Sequence, residues 1–296
     1  MKDNCPFCHS SDVHLYKKGQ KTRSGNLRDV YKCGRCSAIY PYPKMNKAES
    51  SEYLMNSLTN RSDFKFEDPT GAVSGRDFLV KIAKKYTKCS GNALDIGTFS
   101  GRFCFILGSL GFKAYGIEPQ KNAVESAKKY GLEVFWGSFP DTVPQEILRR
   151  KYDLVSALDS IYYVDDIEKT LRIINGILSD DGLLLIKCHQ GYSRYYYDET
   201  HSYFLRCGDN VQWISTVESL RYYLRLAGFK IVKIFGENPT ELLPFGLGRI
   251  KNAFLRKAIY KIYNITMLEC TSLDIKRADR LVVLAKKTGK ADICHN

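Results

Sequence analysis

The sequence has no apolar stretch near its start with the character of a secretory signal, and no apolar run approaching the ~18 residues of a membrane span. Those absences predict a cytoplasmic protein. Acidic side chains are also scarce: 32 Asp and Glu stand against 45 Lys and Arg, a formal net charge of +13. That imbalance predicts an anionic partner, whether nucleic acid, a membrane surface or a phosphorylated substrate, and charge alone does not choose among them. The shortage is sharpest from Leu247 to Leu268, which holds no Asp or Glu but carries Arg249, Lys251, Arg256, Lys257 and Lys261. Ile250, Phe254, Ala258, Ile259 and Ile262 can share one helix face there, so residues 247–268 read either as a basic amphipathic contact to a membrane surface or as a lid helix with its charges in solvent.

Cysteine is not lacking, but ten cysteines in a reducing compartment do not make a disulfide framework. Four of them are spaced for metal. Cys5-Pro6-Phe7-Cys8 and Cys33-Gly34-Arg35-Cys36 are two C-x-x-C knuckles, whose turns are favoured by Pro6 and Gly34. Two thiolates from each knuckle complete a tetrahedral zinc shell, and a closed shell of Cys5, Cys8, Cys33 and Cys36 predicts a structural rather than a catalytic metal. His9 and His14 lie nearby and are not needed as ligands. His14–Lys17 and Val30–Lys32 are short enough to form the hairpin of a zinc ribbon over residues 1–43, which Pro41-Tyr42-Pro43 is expected to stop. Residues 44–75 read as a connector with a short helix around 47–58.

From residue 76 onward, strands and helices alternate. Phe78, Leu79, Ile82, Ala83 and Tyr86 fall on one face of a lead-in helix. Ala93-Leu94-Asp95-Ile96 is a buried strand that ends at a glycine-bounded turn, Gly97 to Gly101. A helix over 102–110 follows, then a strand over 113–117 that ends on Glu118. Further strands are predicted at 132–136, 152–158, 183–187 (after a turn at Asp180-Asp181-Gly182), 228–235 and 280–286, with helices at 122–130, 167–178 and 217–227. This pattern predicts an α/β fold: a doubly wound, mostly parallel, seven-stranded Rossmann-like sheet behind the small ribbon.

The strand–turn–helix–strand unit has the logic of a nucleoside site. Glycine lets a ligand approach the backbone, and a carboxylate one strand over can accept both hydroxyls of a ribose. Asp95-x-Gly97-x-x-x-Gly101 resembles the first motif of class I S-adenosylmethionine (SAM)-dependent methyltransferases, in which an acid precedes a glycine-rich turn. It departs from that motif at Phe99, where the middle glycine would stand and where a bulky side chain must turn away from the ligand. The resemblance covers roughly residues 76–287, with a basic helical insertion at about 237–279. The last two strands suit the antiparallel pair that marks the class. With the ribbon in front, the chain resembles bacterial zinc-ribbon methyltransferases associated with modified sugars.

The resemblance implies SAM and zinc as cofactors. It places Asp95, Gly97, Gly101 and Glu118 on SAM, Ser138 and Phe139 beside the adenine ring, and Asp159, after the fourth strand, among the cofactor-binding residues. The implied acceptor is a small anionic molecule, a nucleotide- or lipid-linked sugar of polysaccharide biosynthesis. If the acceptor surrenders a proton, His189 after the fifth strand and His201 are the candidate bases. His201 and Tyr203 sit in an aromatic-rich segment with Tyr195, Tyr196 and Tyr197. The other enzymatic reading is an RNA or DNA methyltransferase gripping phosphates with its ribbon and basic surface. Against it, the fourth strand is not followed by an N/D-P-P-Y type motif. A zinc module on a decayed scaffold is supported only by Phe99.

Overall fold

The structure, a computed structural model, describes residues 4–22, 24–46, 48–50, 52–53, 68–70, 77–192, 208–237, 252, 254–255, 258, 275 and 278–288. The two cysteine knuckles flank an antiparallel ribbon of three strands, β1 (Val13–Lys21), β2 (Leu27–Cys33) and β3 (Ile39–Tyr42), in the order β1-β2-β3. The third strand goes beyond the two-stranded hairpin expected; it runs through Pro41 and ends at Tyr42, within the Pro41-Tyr42-Pro43 stop. Ile39 donates its N–H outward, to Ile214 O at 3.3 Å, so the nitrogen of Pro41 two residues on faces the same outer side and leaves no ladder bond to β2 unmade. The expected helix around 47–58 lies mostly outside the described residues, as does most of the basic insertion at 237–279, including most of 247–268. Among the described residues no helix is long and apolar enough to cross a membrane.

Seven strands build the main sheet. Along the chain come α1 (Asp77–Tyr86), β4 (Asn92–Ile96), α2 (Arg102–Ser109), β5 (Lys113–Glu118), α3 (Lys121–Lys128), β6 (Glu133–Trp136) and α4 (Gln145–Leu148). They are followed by β7 (Tyr152–Leu158), α5 (Ile167–Ile177), β8 (Leu178–His189), α6 (Val217–Leu226), β9 (Phe229–Glu237) and β10 (Arg280–Lys287). The order is β6-β5-β4-β7-β8-β10-β9; the first five are parallel, and β10 runs antiparallel to both β8 and β9. The seven-stranded, mostly parallel α/β sheet expected from the sequence is therefore the fold. The Asp180-Asp181-Gly182 turn, however, is absorbed into β8: the register slips there, from Tyr152↔Leu178 to Leu154↔Leu183, and the strand continues on both sides.

The apolar runs are continuous because both faces of the sheet are covered. Leu154, Leu183, Leu185, Val282 and Leu284 pack on the side of α1 and α2 with Leu79, Ile82, Phe103 and Leu107. Their neighbours Val155, Leu184, Ile186, Leu281 and Val283 face α5 and α6. That second cluster also takes in Cys5, Val30, Cys33, Cys36, Ile39 and Tyr40 of the ribbon, so ribbon and sheet share one apolar core. The joint is the extended stretch before α6. Ile214 donates back to Ile39 O at 2.6 Å, Thr216 Oγ1 donates to Ser37 O at 3.1 Å, and the fully buried Trp213 lies 6.3 Å from the Phe7 ring.

Candidate active site

Each parallel strand ends on the same edge of the sheet, and the turns leaving β4, β5 and β7 are tied together there. Gly97 (φ 72°) donates to Ile117 O at 2.8 Å, and Ser160 Oγ donates to Ile96 O at 2.7 Å. A methyl group on Gly97 would lie 2.6 Å from Ser160 Cβ, so only glycine closes this turn. Gly101 (φ 79°) starts α2, with Leu132 Cδ1 2.6 Å from where its Cβ would stand. Asp95 is buried, and its Oδ1 accepts a 2.6 Å hydrogen bond from Ser156 Oγ. Phe99, the departure from the glycine motif, keeps the backbone that a glycine would take: its φ is 53°, left-handed, a conformation that costs a side-chain-bearing residue roughly 1–2 kcal/mol. That strain aims its N–H at Glu118 Oε2, 2.9 Å away.

Glu118 closes the site from the neighbouring strand. Its other oxygen accepts the N–H of Gln120 at 3.0 Å, and the residue is only 3% exposed. Burial pushes the carboxyl up to about 7; the N–H groups of Gln120 and Phe99 pull it down less than burial raises it, and the charge of Asp95 raises it further. Among the described residues the desolvated carboxylate has two backbone donors, and it gains from further ones, which is what a ribose diol offers. Ser138 follows at the end of β6, donating its N–H to Thr142 Oγ1 at 2.8 Å, and Phe139 is buried beside it. Asp95, Gly97, Gly101, Glu118, Ser138 and Phe139 thus stand at the ends of three adjacent strands. Two neighbours escaped the sequence reading: Ser160, and Gln120, whose buried Oε1 has no hydrogen-bond partner among the described residues.

The remaining predicted residues lie on the β7–β8–β10 side. Asp159 (φ 55°) donates its N–H to Lys187 O at 2.8 Å, and its Oδ2 lies 3.4 Å from Arg280 Nη1. Its side chain is therefore turned toward β10, not toward Glu118. Arg280 pairs in register with His189 and has Asp279 Oδ2 3.9 Å from its Nε. Burial opposes the guanidinium charge, but Asp159, Glu237 and Asp279 outweigh it and hold its pKa above the ordinary value. Lys187 makes a 2.6 Å ion pair with Glu237. His189 is buried at the end of β8, its ring 5.7 Å from that of Tyr162, and its carbonyl accepts from Ser215 Oγ at 2.5 Å. His201 and Tyr203 lie outside the described residues. The sequence offered one weak signal for the Arg280 cluster, the Asp279-Arg280 pair opening the last strand.

The four knuckle cysteines converge: their sulfurs lie within 4.8 Å of one another, with Cys5–Cys36 at 3.7 Å and Cys8–Cys33 at 3.5 Å. Four thiolates bound tetrahedrally at ~2.3 Å would stand ~3.8 Å apart, so the cluster has the size a zinc ion requires.

A family model described as a methyltransferase domain matches residues 73–234. Among solved structures, a SAM-dependent methyltransferase from Mesorhizobium loti is 16% identical, with an alignment spanning 74% of this chain and 100% of that one at a TM-score of 0.50. Another, from Clostridium acetobutylicum, is 15% identical over 82% of this chain and 100% of that one, with a TM-score of 0.48. At these identities the likeness is one of fold. No curated protein matches the sequence.

Proposed function

Because the chain belongs to the methyltransferase-domain family, we propose that this SAM-dependent methyltransferase acts on a small anionic acceptor, a nucleotide- or lipid-linked sugar of polysaccharide biosynthesis. The observation that carries the cofactor half is Glu118: buried, under-donated and framed by the glycine turn. In this reading Glu118 accepts the ribose hydroxyls, while Gly97 and Gly101 let the backbone approach. Ser138 and Phe139 flank the base, Asp95 fixes the turn, and Asp159 orders the far rim. Bound SAM supplies a sulfonium methyl for in-line displacement, so the chain's own task is alignment and exclusion of water. His201, with Tyr203 beside it, takes the acceptor's proton, and His189 is the alternative base.

Cys5, Cys8, Cys33 and Cys36 hold a structural zinc in a ribbon over 1–43, joined by residues 44–75 to a catalytic domain over 76–296. Residues 247–268 are the candidate contact to a membrane bearing a lipid-linked acceptor. The net charge of +13 supports an anionic acceptor without distinguishing a sugar phosphate from RNA. Following S-adenosylhomocysteine release with nucleotide-linked sugars and, in parallel, with RNA separates the two. Turnover on the sugars is expected; turnover only on RNA would replace this acceptor with nucleic acid.

A further inference from the structure

The ribbon's inner face carries charge beside the segment that leaves β8. Residues paired across an antiparallel ladder share a face, and alternate residues along a strand do too. Lys17 pairs with Val30, and Arg28 and Lys32 flank Val30 at two-residue spacing, so all three cations lie on the face of Val30 and of Ile39, which pairs with Lys32. That face is turned toward the catalytic sheet: Val30 is 3% exposed, and Ile39 bridges to Ile214 and touches Gly191. Asp29, by the same alternation, points the other way, where it accepts the N–H of Gly19.

The three cations are half-buried rather than solvated. Lys32 stands over the segment that leaves β8, and in open α/β sheets ligands lie beyond the carboxyl ends of the strands. Lys32 Nζ sits 5.1 Å from the ring centroid of Tyr192; Tyr16 lies 6.4 Å from that ring and donates its hydroxyl to Gly191 O at 3.5 Å. Arg28 donates to the carbonyl of Asp209 at 3.0 Å, while the Asp209 carboxylate accepts from Ser24 of the ribbon turn.

We propose that this ribbon face, through Lys17, Arg28 and Lys32 with Tyr16 and Tyr192 beside them, binds the diphosphate of the methyl acceptor. The zinc ribbon is then the acceptor half of the site, and the sheet turn around Glu118 the cofactor half. This rests on the methyltransferase reading above and adds where the acceptor's charge is held. Burial draws the Lys17 ammonium below its ordinary pKa. Tyrosines beside the cations suit a nucleoside or sugar ring joined to that phosphate.

The test is calorimetry on the full-length protein with S-adenosylhomocysteine, inorganic pyrophosphate, uridine diphosphate and a single-stranded RNA as separate titrants. Lys17→Met and Lys32→Met keep the aliphatic stems and remove the charges. Each should weaken pyrophosphate and uridine diphosphate at least about tenfold while leaving S-adenosylhomocysteine affinity within about twofold. Unchanged S-adenosylhomocysteine binding also certifies that the variants fold. A wild type that binds S-adenosylhomocysteine but neither diphosphate overturns the subsite alone. A wild type that does not bind S-adenosylhomocysteine overturns the reading beneath it. Variants that lose RNA while keeping uridine diphosphate assign the face to nucleic acid and refute the proposal.

Discussion

Protonation of Glu118 should set the pH range in which the cofactor binds. The free carboxyl is held up at about 7, against an ordinary 4.5, chiefly by burial. A ribose diol donates to the charged form, so binding selects the carboxylate and returns its pKa toward the ordinary value. Below pH 7 a proton must leave before the ribose is accepted. From pH 8 to pH 6 the charged fraction of the free site falls about tenfold, which weakens binding by about 1.4 kcal/mol. Stability of the unliganded protein follows the same group. A carboxyl raised in the folded state contributes stability that is fully present below about 4.5 and lost as pH rises through about 7. The 4.5-to-7 displacement makes this on the order of 3 kcal/mol. SAM should restore most of it at pH 8. Titration calorimetry at pH 6, 7 and 8, repeated in two buffers of different ionisation heat, reads both the affinity and the proton released. A dissociation constant flat within about twofold over that range would refute the argument, as would Glu118→Gln keeping the wild-type slope.

Replacing Cys33 with Ser should abolish the one zinc per chain that elemental analysis is expected to find; zinc content equal to wild type would remove the metal assignment. Phe99→Gly relieves left-handed strain worth roughly 1 kcal/mol and loses a comparable amount of chain entropy and ring packing, so stability should move by less than about 1 kcal/mol with SAM affinity preserved. Phe99→Val puts a β-branched side chain at the same φ and should lose about 2 kcal/mol or more in denaturant unfolding; equal stability of the two variants would contradict the strain. His201→Ala should lower turnover roughly a hundredfold while SAM affinity holds. If His189→Ala alone has that effect, the base is His189.

The sheet and the glycine turn are legible in the sequence because their causes are local. Asp95, Gly97, Gly101 and Glu118 sit within one strand–turn–helix–strand unit, and the apolar runs of β7, β8 and β10 declare strands covered on both faces. The third ribbon strand is not legible locally because a strand through Pro41 depends on a partner far along the chain: Ile214 fixes which side of β3 is outermost. The same long-range joint hid the ribbon's docking on Trp213 to Thr216, and Arg280 reaches Asp159 only through the antiparallel placement of β10. Asp180-Asp181-Gly182 has turn chemistry, but pairing with β7 on either side holds the strand together around it.

The proposed reaction is methyl transfer from SAM to a phosphorylated sugar. Its most direct test is to incubate the purified zinc-loaded protein with methyl-labelled SAM and a cell extract, then separate nucleotide- and lipid-linked sugars from RNA, DNA and protein. Label should accumulate in the sugar fractions and fall to background with Glu118→Ala. Label confined to RNA, DNA or protein, or label in the sugars that persists undiminished in Glu118→Ala, would contradict the account.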